Sequence, residues 1–381
     1  MEFEWAEPDA QFRKELQDFL GENLPASWEQ IAHHGPGADQ TADFSRSFCA
    51  KLAERGWLTQ SWPAQYGGED ASPWRHAVVS EEMWQRGEPR GSQYMNVNWI
   101  GPTIMEYGSE EQKRDHLSRI SRGGVLWCQG FSEPEAGSDL ASLRTRAWRE
   151  GDDYVVDGTK IWTSYVNGAE YCFLLVRTDP ESKGGRGITV LLAPMDAPGI
   201  VVREIPAVIG ERYFHELFFD RARIPAHCRL GAEGEGWGVV RYALAYERVG
   251  AARYARAART LDSLAAHARE QGLFDDPAVQ EKLGAALTLV EAARILTYRV
   301  IDLRARGSAP TADTNLARIA GTLCENAVSD LAVDLLGTQA LAYGHAAEAY
   351  FRMAMTAGVA VGTTEMNLDL VAGRHLGLPR S

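Results

Sequence analysis

Apolar residues recur every three or four positions in the first third of the chain, the spacing that lines one face of a helix. Ser109 and Gln112 match a capping box, in which the two side chains satisfy free backbone N–H groups at the helix entrance. The stretch 62–68, Trp-Pro-Ala-Gln-Tyr-Gly-Gly, has the composition of a tight turn between helices. We expect an N-terminal helical domain over residues 1–122. Three segments carry the helical pattern: residues 11–19, 44–58 and 110–120.

After residue 122 the pattern changes to short runs of β-branched and aromatic residues separated by Gly, Asp and Pro, which predict strands. Asp157 and Gly158 stand between two of these runs and favour a type I′ hairpin turn. The runs predict a central β-domain over residues 123–232. They are residues 125–130, 154–157, 160–164, 171–178, 187–193, 200–205 and 215–219.

A helical period returns in the last third of the chain, in long segments rich in Ala, Leu and Arg. Four such helices pack most simply as an antiparallel bundle, which we expect over residues 233–381. The predicted fold class is multidomain α+β, with an N-terminal helical domain, a central β-domain and a C-terminal four-helix bundle. Because helices and strands are segregated along the chain, a Rossmann domain is not expected. The four predicted helices are residues 238–271, 277–306, 311–336 and 345–359.

Charge and cysteine usage exclude several classes of protein. Acidic residues outnumber basic ones by 52 to 39, and a net charge of −13 argues against a nucleic-acid binder. The five cysteines are widely spaced and form no CxxC or Cys/His cluster, which favours a reducing cytoplasm and predicts no metal site. Residues 1–12 lack the basic and apolar regions of a signal peptide. No apolar run reaches the roughly 20 residues of a membrane-spanning helix, so no membrane partner is expected.

Two loops carry the candidate chemistry. In residues 129–139, hydroxyl groups and small residues suit either contact with a flat heterocycle or phosphate, or a Gly/Pro loop with satisfied serines. Trp162 lies beside hydroxyl groups on a predicted strand, where its ring either covers a cofactor or packs half-buried in the sheet. The stretch 234–238, Gly-Glu-Gly-Trp-Gly, resembles a phosphate loop only loosely, because its acidic neighbours would repel a pyrophosphate. A flexible entry into the following helix is the better interpretation.

These loops resemble the signature of the acyl-CoA dehydrogenase family, a TEP-x-x-GSD loop followed by GxKxW. Further motifs occur in the family's order over nearly the whole chain. They are the WPxxYGG turn at 62–68, the helix start at 108–113, the PG[VI] strand entry at 198–200, Gly-Thr-Thr-Glu at 362–365, which resembles the family's GTSE, and LGLPR at 376–380.

The resemblance implies an FAD held between the sheet and the bundle, and dehydrogenation of an acyl-CoA thioester across its α,β carbons to a trans-2-enoyl-CoA. Substrate contacts would come from Ser138, Arg248 and Val361, whose backbone N–H would donate to the thioester oxygen. The residues that the resemblance assigns to FAD are Phe131, Ser132, Gly137, Ser138, Trp162, Ser164, Thr363 and Glu365.

The catalytic base has two positions among the relatives that the chain resembles. Many carry a Glu just before the terminal Gly-Thr, where this chain has Val361, which accepts no proton. Others carry it on the first bundle helix in a Glu-Arg pair, which matches Glu247 and its neighbouring arginine. Small residues, Ala243, Gly250 and Ala251, share the helix face of Glu247 and leave room for an acyl chain. Without the resemblance, a Glu on an Ala-rich helix is usually a solvated surface residue.

Two segments with which family homotetramers hold a neighbouring subunit's FAD are altered here. Residues 269–277 lack the Arg-x-x-Phe-Gly pattern, and Asp334 occupies the amide position of the Q-x-x-GG-x-G loop. An Asp facing a pyrophosphate opposes binding by like-charge repulsion. Relatives with these departures include the paired subunits of bacterial steroid side-chain dehydrogenases, which assemble as α2β2 heterotetramers. A heterotetramer with a second acyl-CoA dehydrogenase subunit and a homo-oligomer both stay open.

Two other functions stay open as well. A flavin oxidase or monooxygenase on the same fold would need oxygen at the reduced flavin, and a positioned Glu247 favours the dehydrogenase. A non-catalytic subunit of a heteromeric acyl-CoA dehydrogenase is favoured by Val361. The resemblance to steroid subunits implies a bulky or steroid side-chain acyl group. No pattern of residues in the sequence predicts the length, branching or ring system of that group. Family analogy implies an electron-transfer flavoprotein as acceptor.

Overall fold

The protein, seen in a computed structural model, is described over residues 5–35, 37–247, 253–308, 312–360 and 362–379. It forms two compact units. The bundle unit comprises Met1–Gly35, Ala71–Pro89 and Arg248–Ser381, and the sheet unit comprises Pro36–Asp70 and Arg90–Glu247. Among the described residues, none of the helices has the length and apolarity to cross a bilayer.

Helices form both ends of the chain, as the pattern predicts. Two π-helical segments, Asn96–Ile100 and Lys113–Leu117, lie within the helical part of the sheet unit. The capping box is present, since Ser109 Oγ accepts the Gln112 N–H at 3.2 Å and Gln112 Oε1 accepts the Ser109 N–H at 3.0 Å. The α-helices are α1 (Glu7–Asn23), α2 (Trp28–Ala32), α3 (Asp39–Glu54), α4 (Pro73–Gln85), α5 (Gln93–Met95), α6 (Gly101–Tyr107), α7 (Glu110–Gln112), α8 (Ser118–Ser121), α9 (Gly236–Glu247), α10 (Arg253–Glu270), α11 (Pro277–Ala305), α12 (Asp313–Leu336), α13 (Ala346–Ala354) and α14 (Thr364–Arg374).

Helix α4 is a central helix of the bundle unit, and the sequence analysis did not predict it. Residues 77–84 are all buried, so the helix has no amphipathic period to detect. Its Glu81 carboxylate accepts hydrogen bonds from Tyr254 of α10 at 2.5 Å and from Tyr298 of α11 at 2.6 Å. Arg13 of α1 donates to the other carboxylate oxygen at 2.5 Å. One buried acid therefore connects α4 to three other helices.

The sheet unit contains one twisted sheet with the strand order β6-β7-β3-β2-β4-β5-β8, and β1 pairs in parallel with β4. Strands β4 and β5 are buried along their length, which explains their near-continuous apolar runs. Strand β6 lies at the edge of the sheet and is mostly exposed. The strands are β1 (Trp127–Gly130), β2 (Arg146–Glu150), β3 (Asp153–Ser164), β4 (Tyr171–Arg177), β5 (Ile188–Pro194), β6 (Ile200–Ala207), β7 (Gly210–Pro225) and β8 (Arg229–Leu230).

The predicted hairpin at Asp157-Gly158 is wrong. Strand β3 runs unbroken through both residues, and its register with β7 shifts between Val156 and Gly158. A Cβ on Gly158 would lie 2.6 Å from Thr145 Oγ1, so the glycine allows a close backbone approach at a bulge. The tight turn lies instead at Gly151, φ +65°, between β2 and β3.

The long helix predicted over residues 238–271 contains two described helices, α9 and α10, and residues 248–252 between them lie outside the described part. Helix α9 belongs to the sheet unit and α10 to the bundle unit. Helices α1 and α4 are grouped with the C-terminal helices in the bundle unit. The three predicted domain ranges, 1–122, 123–232 and 233–381, therefore stay a prediction.

Candidate active site

A buried ion pair shapes the loop that follows β1. Lys160 of β3 is fully buried, and its Nζ donates to Glu133 Oε1 at 2.8 Å and to the Phe131 carbonyl at 3.0 Å. The Glu133 carboxylate also accepts the backbone N–H groups of Arg144 at 2.6 Å and Thr145 at 2.8 Å. The Lys of the GxKxW motif and the Glu of the TEP-like motif thus fix one loop. The sequence analysis gave neither residue a role, because burial of a single charge pair leaves no pattern in the sequence.

Both members of this pair are suited to being charged. Burial alone would raise the pKa of Glu133, but Lys160 and the hydrogen bonds from Arg144 and Thr145 lower it below its ordinary value. Burial lowers the pKa of Lys160, and Glu133 opposes that shift. The loop is closed further by backbone hydrogen bonds between Glu133 and Ala136. Phe131 and Ser132 are therefore held on a rigid turn.

Trp162 lies at a second bulge of β3, where the register with β7 shifts between Lys160 and Thr163. Its backbone has φ +59°, a left-handed conformation that costs a residue with a Cβ roughly 1–2 kcal/mol. The side chain is 55% exposed and meets Phe214 edge-on at 5.8 Å. About half of the residue is therefore open to a ligand, and the assignment of Trp162 to the cofactor stays a prediction. Strained, exposed aromatic residues are typical of ligand contacts.

The residues predicted to hold the flavin ring lie next to each other in the sheet unit. The Ser132 carbonyl accepts the Ile161 N–H at 2.9 Å, which brings the loop after β1 against the bulge that carries Trp162. Phe131 is buried, while Ser132 and Ser164 are partly exposed. Among the described residues, neither serine hydroxyl has a protein hydrogen-bond partner. Ser132 is thus not satisfied by the protein in the way that the structural interpretation of the loop 129–139 required.

Gly137 and Ser138 lie further along the same loop and are exposed. A Cβ on Gly137 would meet nothing within 4 Å, so no neighbour among the described residues requires glycine there. Arg177 holds the turn that follows, donating to the carbonyls of Ala141 at 2.8 Å and Leu143 at 2.9 Å. Free hydroxyls, an exposed indole and an open, anchored glycine loop fit a large, flat, anionic cofactor of the FAD type.

Helix α9, which ends at Glu247, is anchored to the sheet at its start. A Cβ on Gly236 would lie 2.8 Å from the Ile188 carbonyl oxygen of β5, so only glycine permits this approach. The Gly234 N–H donates to Thr189 Oγ1 at 2.8 Å. The segment 234–238 therefore packs the start of the helix closely against β5, unlike the flexible entry that the sequence suggested.

The buried face of α9 belongs to the same hydrophobic core as the loop that follows β1. Val240 and Ala243 belong to the same hydrophobic cluster as Trp99 and Phe131. Trp99 meets the Phe131 ring edge-on at 6.1 Å. Position 247 follows Ala243 by four residues in the sequence and is the last residue of α9.

The predicted residues near the ends of α9 and α14 are described to different extents. The backbone of Glu247 closes α9, and its side chain lies outside the described part. Arg248 and Val361 lie outside the described residues altogether. Thr363 caps α14, with its hydroxyl accepting the Met366 N–H at 3.2 Å. Glu365 is exposed in the first turn of that helix.

The altered FAD-holding segments have partners of their own. Asp334 forms an ion pair with Lys282 of α11 at 2.7 Å, and both side chains are about half exposed. Arg269 lies over the Phe274 ring, 4.2 Å from its centroid. The resemblance assigns these two segments to a neighbouring subunit's cofactor, but in this chain their side chains contact residues of their own bundle unit.

Comparison with known proteins identifies the class. Three family models match in order: acyl-CoA dehydrogenase N-terminal domain at residues 7–124, middle domain at 128–222 and C-terminal domain at 234–376. The chain belongs to the acyl-CoA dehydrogenase family, whose members are generally FAD-dependent oxidoreductases acting on CH–CH groups. The predicted family and fold class are confirmed.

Similar proteins include steroid-type members of this family. Acyl-CoA dehydrogenase IpdE1 of Mycobacterium tuberculosis is 31% identical, over 97% of this chain and 98% of its own. A solved structure described as the Tcur3481-Tcur3483 steroid ACAD has a TM-score of 0.92, 31% identity and full coverage of both chains. The ChsE4-ChsE5 complex from Mycobacterium tuberculosis has a TM-score of 0.88 and 29% identity, again covering 100% of both chains.

Proposed function

We propose that the protein is a catalytically active FAD-dependent acyl-CoA dehydrogenase subunit that removes the α-proton of an acyl-CoA with Glu247. The observation that carries the proposal is the shared core of α9 and the Phe131 loop. Because the helix ending at Glu247 packs in the same cluster as the ring of Phe131, its end is held at a fixed distance from that loop. A catalytic base needs such fixed placement relative to the reacting carbon.

The roles of the other residues follow from their environment. FAD, when bound, supplies the hydride acceptor. Ser132 and Ser164 carry hydroxyls without protein partners and are suited to hydrogen-bond the flavin ring, while Trp162 covers it. Gly137 and Ser138 form the exposed loop for phosphate or substrate. We assign Thr363 and Glu365 to the adenosine portion, and Arg248 and the Val361 backbone to substrate, by their positions in the family motifs.

For the acyl group we propose a bulky one of the steroid side-chain type. The support is a similar solved structure that is described as a steroid ACAD and is 31% identical to this chain. A second similar structure is described as the ChsE4-ChsE5 complex, which has two different components. Asp334, which pairs with Lys282, occupies the position at which family homotetramers have an amide that holds a neighbouring subunit's cofactor. We therefore propose a second acyl-CoA dehydrogenase subunit as partner and an electron-transfer flavoprotein as acceptor.

The test is anaerobic titration of the FAD-loaded protein, produced with its partner subunit where one is needed, against straight-chain, branched and steroid side-chain acyl-CoA thioesters. The proposal predicts loss of the flavin absorbance with the bulky thioesters and formation of the enoyl-CoA. Failure of every thioester to bleach the flavin would refute it. Hydrogen peroxide formed stoichiometrically in air would instead favour the oxidase.

A non-catalytic subunit is the second candidate, because Val361 replaces the base that many relatives carry before the terminal Gly-Thr. The variant Glu247→Gln separates the two functions when it is assembled with a wild-type partner. Full turnover by the variant assembly would favour the non-catalytic subunit. Glu281→Gln, on the exposed surface of α11, is the matched control and is expected to retain activity.

A further inference from the structure

One arginine at the end of β4 holds two loops of the sheet unit together. Arg177 donates from Nη2 to the Ala141 carbonyl at 2.8 Å and from Nε to the Leu143 carbonyl at 2.9 Å. These acceptors belong to residues 137–143, here called the serine loop. The remaining N–H groups of Arg177 donate to residues 182–187, here called the glycine loop, at the carbonyls of Arg186 (2.9 Å), Gly184 (3.2 Å) and Ser182 (3.4 Å). All five N–H donors of the guanidinium thus have a backbone acceptor.

The hydrogen bonds from Arg177 set the direction of peptide groups in the glycine loop. A trans peptide group is planar, so its C=O and N–H bonds point in opposite directions. The carbonyls of Ser182 and Gly184 turn toward the guanidinium. The N–H groups that follow them in the chain, those of Lys183 and Gly185, therefore point away from it, and neither has an acceptor among the described residues. Outward N–H groups on a glycine-rich loop are suited to bind an anion such as a phosphate.

The glycine loop also lies against α9, the helix that ends at Glu247. A Cβ on Gly185 would lie 2.4 Å from the Trp237 indole, so the ring packs directly on this loop. Helix α9 has further support of its own, since Val240 is buried in the hydrophobic core. Loss of Arg177 would therefore release the two loops while leaving the helix in place.

We propose that Arg177 is a positioning residue for substrate binding, which sets the serine loop and the glycine loop to receive the phosphate-bearing end of the acyl-CoA. This inference rests on the proposed function, which makes an acyl-CoA the substrate. Ser138 is exposed on the serine loop and Lys183 on the glycine loop, so the two loops offer a hydroxyl and a cation to a phosphate group. Without Arg177 both loops would have to be ordered when the substrate binds, which costs affinity.

A second arginine of the same sheet provides a matched control. Arg223 of β7 donates from its side chain to the carboxylates of Glu150 at 3.0 Å and Asp153 at 3.4 Å. Neither acceptor belongs to the serine loop or the glycine loop. The variant Arg223→Met therefore removes the same side chain and the same charge as Arg177→Met, but it frees no carbonyl of either loop.

The experiment compares Arg177→Met, Arg177→Lys and Arg223→Met in the assembled, FAD-loaded protein. Calorimetry gives the dissociation constants of CoA and of pantetheine, which is the part of CoA that carries the thiol and lacks the phosphates. Steady-state kinetics give kcat and KM for one acyl group carried as a thioester on CoA and on pantetheine. Thermal melting and FAD content report folding.

Arg177→Met is expected to raise the dissociation constant of CoA and the KM of the acyl-CoA about tenfold. Its kcat with either thioester and its KM for the acyl-pantetheine should stay at the wild-type values, because α9 keeps its place. Arg177→Lys keeps the charge with fewer donors and is expected to give intermediate values. Arg223→Met is expected to lower the melting temperature and leave CoA binding unchanged. Should Arg177→Met not fold, the Lys variant carries the test, and its dissociation constant for CoA must exceed that of wild type.

Two results would overturn the inference. One is CoA binding by the Arg177 variants with the wild-type dissociation constant. The other is an equal rise in KM for the acyl-CoA and the acyl-pantetheine, since that would make the effect a general loosening of the sheet unit. Failure of the proposed function is distinguishable, because the unaltered protein would then bind CoA, and Arg177→Met would weaken that binding, without any thioester bleaching the flavin.

Discussion

Lys160 and Glu133 carry opposite charges where water is excluded, so neither can be removed alone without leaving a charge unpaired. Lys160→Met is expected to lower the free energy of unfolding by about 3–5 kcal/mol, the cost typical of breaking a buried ion pair. Urea denaturation measures it, with the double variant Glu133→Gln/Lys160→Met as control. We expect the double variant to be more stable than Lys160→Met, and equal instability of the two would contradict the pairing.

The same pair predicts a pH dependence. Because the pKa of Glu133 is lowered in the folded protein, its contribution to stability is present above the ordinary Glu value of 4.5 and is lost as pH falls through the folded value. The stability difference between wild type and Glu133→Gln should therefore be constant near neutral pH and shrink below pH 4.5. Urea midpoints at pH 7 and pH 4 test this, and a difference independent of pH would argue against a charged Glu133.

Trp162 combines a strained backbone with an exposed ring, so its value to the protein is expected to lie in ligand binding. Trp162→Gly removes the strain of φ +59°, and we expect stability without cofactor to stay within about 1 kcal/mol of wild type. The FAD dissociation constant, measured by fluorescence titration, should rise at least about tenfold. Trp148→Gly in strand β2 is the control, expected to destabilise without weakening FAD binding. The reverse pattern would make Trp162 a structural residue.

The positions of the two loops were predictable from their motifs, whereas the contacts inside them were not. The motif residues Phe131, Ser132 and Trp162 lie together, as family order predicts. The Lys160–Glu133 pair and the Arg177 hydrogen bonds to residues 141 and 143 were not predicted, because each joins residues far apart in sequence. The exposure of Trp162 was not predictable, because a buried tryptophan in a strand would have the same neighbouring residue types.

Helices with one apolar stripe and strands with β-branched runs are the elements that the sequence predicts well. Helices α11 and α12 begin and end close to their predicted bounds, whereas the fully buried α4 was missed. The Asp157-Gly158 pair misled the prediction because a bulge and a hairpin turn both use glycine. Local composition alone does not distinguish them, since the difference lies in the close approach of Thr145.

The Glu81 carboxylate on α4 is expected to stabilise the bundle unit through its hydrogen bonds from two tyrosines. Tyr254→Phe and Tyr298→Phe each remove one hydrogen bond to a buried charged group and should each lower stability by about 1.5–3 kcal/mol. Tyr343→Phe, at a residue 80% exposed, is the control and should change it by less than about 0.5 kcal/mol. Thermal and chemical unfolding measure all three. Equal effects in the three variants would mean that the Glu81 contacts do not connect the helices.

The whole chain follows the order of helical, β and helical parts that its hydrophobic pattern predicts, and three family models match in that order. The grouping of α1 and α4 with C-terminal helices was not predictable, because such contacts join residues more than 200 positions apart, as Tyr298 and Glu81 do. Assembly with other chains is likewise a property of surfaces that sequence periodicity does not report.

A prediction for the assembly follows from Asp334 and its altered neighbours. Co-expression with a second acyl-CoA dehydrogenase polypeptide from the same organism should yield a mixed complex with more FAD per chain than this chain retains alone. Size-exclusion chromatography with light scattering and flavin absorbance measure both quantities. A homo-oligomer that binds FAD fully and turns over acyl-CoA would contradict the two-subunit proposal.

The most direct measurement of the central claim is the single-turnover rate of flavin reduction by a reactive acyl-CoA in stopped flow, for the Glu247 protein and its Glu247→Gln variant. Loss of a positioned general base typically costs 10²–10⁴-fold, so we expect the variant to be slower by about that factor while binding the thioester. Reduction by the variant at the wild-type rate would show that Glu247 does not remove the α-proton.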